Sequence, residues 1–194
     1  MTNRVAELLP HLQAQRLPGL ETGNGTLLPD YSATTLANLP ASICRWLGAD
    51  PLGCPPLAPQ WRQLAVNEQY QHVILLVVDG LGLNLFRRFW NSDPWVGWIQ
   101  AGALAPITSV VPSTTAAALT SLWTGCTPAE HGIIGFDLWL KEFGMVGNMI
   151  FHSPSAFGGE TGSLRRAGFQ PGTFLPVTTL DTHLHPQHVK VFSF

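Results

Sequence analysis

The stretch "VILLVVDGLGLN", residues 73–84, decides how the rest of the chain is read. Six apolar residues without polar alternation predict a buried strand at the centre of a parallel sheet covered on both faces. The run ends in Asp79, followed by Gly80 and Gly82. Glycine turns at strand ends usually cradle phosphate through backbone N–H groups, and the dinucleotide fingerprint places its first glycine directly after the strand. Here the acid comes first, and it would repel a bare phosphate. A carboxylate at that mouth makes chemical sense if a cation lies between it and an anion.

Upstream, "VAELLPHLQAQRL" has helical spacing broken by Pro10, and "SATTLANLPASICRWLG" offers Ser32 as a cap and Gly48 as a stop. Both read as peripheral helices, joined by the proline-rich "PLGCPPLAPQW" to the sheet region. Residues 1–60 are therefore expected to be peripheral helices and a proline-rich link, and residues 61–194 to hold the first part of the main domain. Downstream, a helix is expected from Leu83 to about Trp90, and the tryptophans of "FWNSDPWVGW" are expected to pack under a loop rather than stack a base. "ALAPITSV" reads as a second short strand, and "DLWLKEFGMVGNMI" as two strands around a Glu-Phe-Gly turn. Phe151 to Pro176 reads as a long functional loop, and the terminal "VKVFSF" as a strand just beginning.

Composition narrows the function classes. The chain has 194 residues, enough for one full-sized domain, with 11% charged residues and a net charge of −2. That leaves no electrostatic footprint for a nucleic-acid duplex. Arg87-Arg88 and Arg165-Arg166 read as solvated surface pairs. Cys44, Cys54 and Cys126 are odd in number and far apart in sequence, which argues against a disulfide framework or a zinc knuckle. No stretch reaches the roughly 18 apolar residues of a membrane span, and the first twenty residues lack a signal peptide's apolar core, so a cytoplasmic location is expected.

The second informative stretch is "PSTTAAALTSLWTGCTPAEHGIIGF", from Pro112 to Phe136. It combines a strand end, a proline, hydroxyls at a helix start near Thr114 or Thr115, a small-residue helix and a Pro-x-x-His-Gly exit. A helix start presents free N–H groups and the positive end of the dipole, where an anion binds well. One hydroxyl, Ser113 or Thr114, suffices as a cap, so Thr115 needs another reason. Coordination to a divalent metal would make its hydroxyl a nucleophile near neutral pH, and Asp79 would supply a metal ligand if the two strand ends lie side by side.

"VVDGLG", then "PSTTAAALTSLWTG" and "PAEHGIIGF", resembles the alkaline phosphatase superfamily, and most its type I phosphodiesterase/nucleotide pyrophosphatase branch. The resemblance covers about residues 72 to 180. It implies an α/β fold with a largely parallel central sheet, helices on both faces, and two divalent metal ions, zinc in the family. It also implies that Asp79 binds metal and that Thr115, which also contacts metal, attacks phosphorus to form a phosphothreonine intermediate. The implied substrate is a small phosphodiester or pyrophosphate, a nucleotide among the candidates.

Two departures accompany the match. The family's phosphodiesterases carry an asparagine 21 residues after the nucleophile to hold a phosphoryl oxygen, and here that residue is Phe136, with Asp137 beside it read as structural. Phe136 cannot donate a hydrogen bond, which leaves a phosphomonoester, phosphonate or sulfate ester as the alternative substrate. The family also completes its metal sites with Asp and His residues from the second half of the fold. Asp181 and His185, or His183 and His185, have ligand-like spacing but sit only 66 residues or so beyond Thr115, and "LDTHLHPQHV" reads as a polar connection. His131, sixteen residues after Thr115, reads as a structural turn residue. The expectation is an alkaline-phosphatase-like fold incomplete at its C-terminus, either active or a catalytically inactive remnant. A dinucleotide-binding module fails on the glycine pattern, and a serine hydrolase on the absence of Gly-x-Ser-x-Gly.

Overall fold

The computed structural model describes residues 2–17, 19, 23, 25–62, 69–156 and 159–193. Residues 63–68, at the expected junction of the two regions, and residues 157–158 of the expected long loop lie outside it.

The Val5–Gln13 helix continues through Pro10, contrary to the expected break, and Ala14 N–H donates to the Pro10 carbonyl at 3.0 Å. Its buried residues Val5, Leu8 and Leu12 form one stripe, and Leu8 and Leu12 pack with Leu57 and Trp61, so tertiary burial outweighs the hydrogen bond that proline removes. The second helix spans Leu39–Trp46 behind a 3-10 turn at Leu36–Asn38. Ser32 is not its cap: its hydroxyl and N–H both donate to Asp30 Oδ1, while Thr35 and Asn38 bond each other in a capping box. That box starts the 3-10 turn, and Asn38 also donates to the Tyr31 and Pro55 carbonyls.

The largely parallel sheet is not seen among the described residues. Parallel pairing is limited to Thr2–Asn3 against Ala103–Leu104 and one bridge between Thr35 and Thr108. The larger sheet is antiparallel, with Asp137–Leu140 paired to Met145–Asn148 and that strand to Ser153–Pro154. It matches the predicted pair of strands, with Lys141–Phe143 and Gly144 forming the connection. Residues 73–78 are not in a strand; Ile74 is 93% and Leu76 66% exposed. An all-apolar run becomes a central strand only when other strands pair with both of its edges, and no described strand does so.

The expected helix after Asp79 starts at Leu83 but its regular part ends at Phe86, followed by turns to Trp90. The aromatic residues pack edge-to-face on one another, Phe86 to Trp95 at 5.2 Å and Trp95 to Trp98 at 5.4 Å, with Phe86, Phe89, Trp90 and Trp95 half-buried and Trp98 exposed. The 151–176 segment carries short elements: the Ser153–Pro154 strand, a 3-10 helix at Ser163–Ala167 and one helical turn at Pro171–Phe174. "VKVFSF" forms no strand in its described part.

Buried apolar residues fall into separate clusters. The Thr115–Thr124 helix lies between two of them: Ala116 packs with Ile133, Leu140, Met149, Leu164 and Phe169, and Ala117 with Ala37 and Val110. Small residues on that helix let it sit close to both neighbours at once.

Candidate active site

The helix that carries the site begins where its sequence demands. Thr114 is extended at φ −71°, ψ 151°, and its hydroxyl accepts the Ala117 N–H at 3.3 Å, which makes it the N-cap. Thr115 is then the first helical residue, free of capping work. Its hydroxyl donates to Asp79 Oδ2 at 2.9 Å, across 36 residues of sequence. The other oxygen, Asp79 Oδ1, accepts the Gly80 N–H at 2.8 Å, and Gly80 takes φ +71° to make that turn. The carboxylate is fixed at both oxygens and lies at the surface, open to a ligand.

The N–H groups of Thr115 and Ala116 have no intrahelical acceptor at this end of the helix, so donors and the dipole point toward the Asp79–Thr115 pair. The approach to the helix is held from a distance, since Val111 N–H donates to the Tyr31 hydroxyl at 3.0 Å. Tyr31 was not marked by any local pattern in the sequence; it lies 80 residues away and only the fold brings it there.

The far end of the helix is equally well defined. Gly125 closes it at φ +67°, and a capping box between Thr127 and Glu130 starts the Pro128–His131 turn. His131 is 1% exposed, with Nδ1 accepting the Ile133 N–H at 3.1 Å and Nε2 2.9 Å from the Ser121 hydroxyl. Both ring nitrogens are committed to holding this turn against the helix. Burial pushes the His131 pKa down, opposed in part by the Ala117 carbonyl and the Glu130 carboxylate.

The C-terminal histidines do not join the pair. Leu180–Leu184 is a short helix capped by Thr179, and His183 Nε2 lies 2.8 Å from the Asp50 carbonyl while Asp50 N–H donates to Gln187 Oε1 at 2.8 Å. This end of the chain docks on the loop at Asp50. Phe136 is 40% exposed and meets Phe151 edge-to-face at 6.1 Å.

A divalent cation would find two oxygen donors at the site, the Asp79 carboxylate and the Thr115 hydroxyl. That is short of the four ligands of a zinc shell. Among the described residues no group of three or more His, Cys, Asp and Glu side chains could hold a metal ion. The pair fits one edge of a metal site and does not complete it.

The chain belongs to the type I phosphodiesterase/nucleotide pyrophosphatase family, whose model matches residues 73–172, more than half of its length. This is a family of phosphodiesterase- and pyrophosphatase-type hydrolases, and the match spans both Asp79 and Thr115. Comparison with curated proteins and with solved structures found no match. Among the described residues no helix is long and apolar enough to cross a membrane.

Proposed function

We propose that this site hydrolyses a small phosphodiester or pyrophosphate, a nucleotide among the candidates, with the Thr115 hydroxyl as nucleophile. The observation that supports this most is the 2.9 Å hydrogen bond from Thr115 Oγ1 to Asp79 Oδ2 at a helix start. It directs the hydroxyl proton to a carboxylate and aims an oxygen lone pair outward. The first-turn N–H groups would hold a phosphoryl oxygen while Thr115 Oγ1 attacks phosphorus in line and gives its proton to Asp79. The bond to the leaving oxygen breaks, and that oxygen departs as the alcohol of a diester or the phosphate of a pyrophosphate and takes up a proton from water, so that a phosphothreonine ester remains. Water then cleaves that ester. Two divalent cations, zinc by the family resemblance, belong to this reading; bound with Asp79 and Thr115 among their ligands, they would supply Lewis-acid stabilisation of the entering and leaving oxygens.

A second reading keeps Thr115 and changes the substrate to a phosphomonoester, phosphonate or sulfate ester. Phe136 favours it, because an apolar ring stands where a hydrogen-bond donor to the diester's phosphoryl oxygen is expected. The shortage of ligands around Asp79 favours a third, an inactive remnant.

Turnover of bis(p-nitrophenyl) phosphate and p-nitrophenyl phosphate, with zinc added, separates them. The diesterase reading predicts faster release from the diester, abolished by Thr115→Ala. Preference for the monoester would transfer the assignment to the second reading, and no turnover of either ester would favour the third.

A further inference from the structure

Cys54 and Cys126 are 72 positions apart in sequence and adjacent in the fold. Cys54 N–H donates to the Gly125 carbonyl at 2.6 Å. The chains touch there without room for a side chain: a Cβ on Gly53 would lie 2.3 Å from the Gly125 oxygen, and one on Gly125 would lie 2.6 Å from the Leu52 oxygen. Fixed covalent distances on either side of that hydrogen bond limit the separation of the two cysteine Cα atoms to about 7 Å, the upper end of what a disulfide spans. Each of these cysteines is partly exposed and carries a free thiol. Cys44, the third, is fully buried in a different cluster with Leu52, Leu180 and Leu184.

We propose that Cys54 and Cys126 are a thiol pair that closes into an intramolecular disulfide on exposure to a small-molecule disulfide oxidant. This is a modification site independent of the proposed hydrolysis. The bond would tie the loop after Asp50 to the exit of the Thr115–Thr124 helix. In the balanced reaction, one thiolate attacks a sulfur of oxidised glutathione and releases one glutathione thiolate. The other cysteine then attacks the protein sulfur, forms the Sγ–Sγ bond and releases the second glutathione. Two electrons pass to glutathione, and the protons of the two cysteines end on the two glutathione thiols released.

The surroundings set the character of the bond. Burial pushes the Cys54 thiol up to about 11, helped by the Glu130 carboxylate and by Cys126 itself, and burial and Glu130 also raise Cys126. Thiols of high pKa leave slowly from a disulfide, so the cross-link, once made, resists reduction and acts as a lasting staple rather than a fast switch.

The test is incubation of the folded chain with oxidised glutathione at mildly alkaline pH, followed by alkylation in urea and peptide mass spectrometry. The expected result is a fall from three free thiols to one, a peptide joining Cys54 to Cys126, and a melting temperature several degrees higher than that of the oxidant-treated Cys126→Ser variant. Stable glutathione on both cysteines of one chain would overturn the proposal. So would a cross-link through Cys44, or three thiols untouched in the folded chain under conditions that oxidise the urea-unfolded one.

Discussion

Thr114 and Thr115 are neighbours of identical chemistry, and the helix start separates their work. Thr114 spends its oxygen on the Ala117 N–H, whereas Thr115 turns its hydroxyl to Asp79. Thr114→Ala should lower stability by about 1 kcal/mol in urea unfolding, the usual cost of losing an N-cap. Thr115→Ala should leave stability within about 0.5 kcal/mol, because it removes one exposed hydrogen bond, while turnover of the diester disappears. A stability loss in Thr115→Ala as large as that of Thr114→Ala would reverse the two assignments. In the sequence, an acid before a glycine turn and a hydroxyl at a helix start single out Asp79 and Thr115, and their side chains do meet, although not through the neighbouring strand ends expected, since residues 73–78 are not in a strand. Tyr31 and the Cys54–Cys126 approach have no such signal, since each depends on contacts between distant segments with no motif of their own.

The Thr115–Thr124 helix owes its position to both ends. Gly125 ends it with a positive φ and no space beyond, so Gly125→Ala combines left-handed strain with a 2.6 Å clash on the Leu52 oxygen. A loss of more than about 2 kcal/mol is expected in chemical denaturation. His131 ties the following turn to the same helix, and its pKa lies below that of an unfolded histidine because burial disfavours the charged ring. As pH falls through about 6.5 the unfolded chain takes up that proton before the folded one does, so stability present above this pH is lost below it. His152 acts in the same direction through burial and Arg165. The urea midpoint should therefore decline from about pH 7.5 to pH 5.5, less steeply in His131→Gln. An unchanged slope in that variant would assign the decline to other groups. The helix is readable in outline from alanine, leucine and the absence of interior glycine; the continuation of the Val5–Gln13 helix through Pro10 is not, because the burial that overrides the proline is invisible locally.

The core of the described chain is divided among small clusters, and the longest aliphatic run contributes to none of them. Residues 74–78 all have exposed side chains, a patch of the kind that binds hydrophobic dyes and associates with itself. The native chain should enhance the fluorescence of an anilinonaphthalene sulfonate probe, and Ile74→Lys with Leu76→Lys should remove most of that signal while leaving circular dichroism unchanged. Unaltered dye binding in the double variant would place the apolar surface elsewhere. Here the sequence reading went furthest from the structure. Apolar runs announce burial, but burial requires partners on both edges and both faces, and a single segment does not encode whether those partners are present.

The decisive measurement is the mass of the protein after rapid acid quenching during turnover of bis(p-nitrophenyl) phosphate with zinc, followed by localisation of any adduct by fragmentation. A phosphoryl adduct on Thr115, absent from Thr115→Ala, is the predicted result. Turnover that continues in Thr115→Ala, or an adduct carried by Ser113 or Thr114 instead, would contradict it.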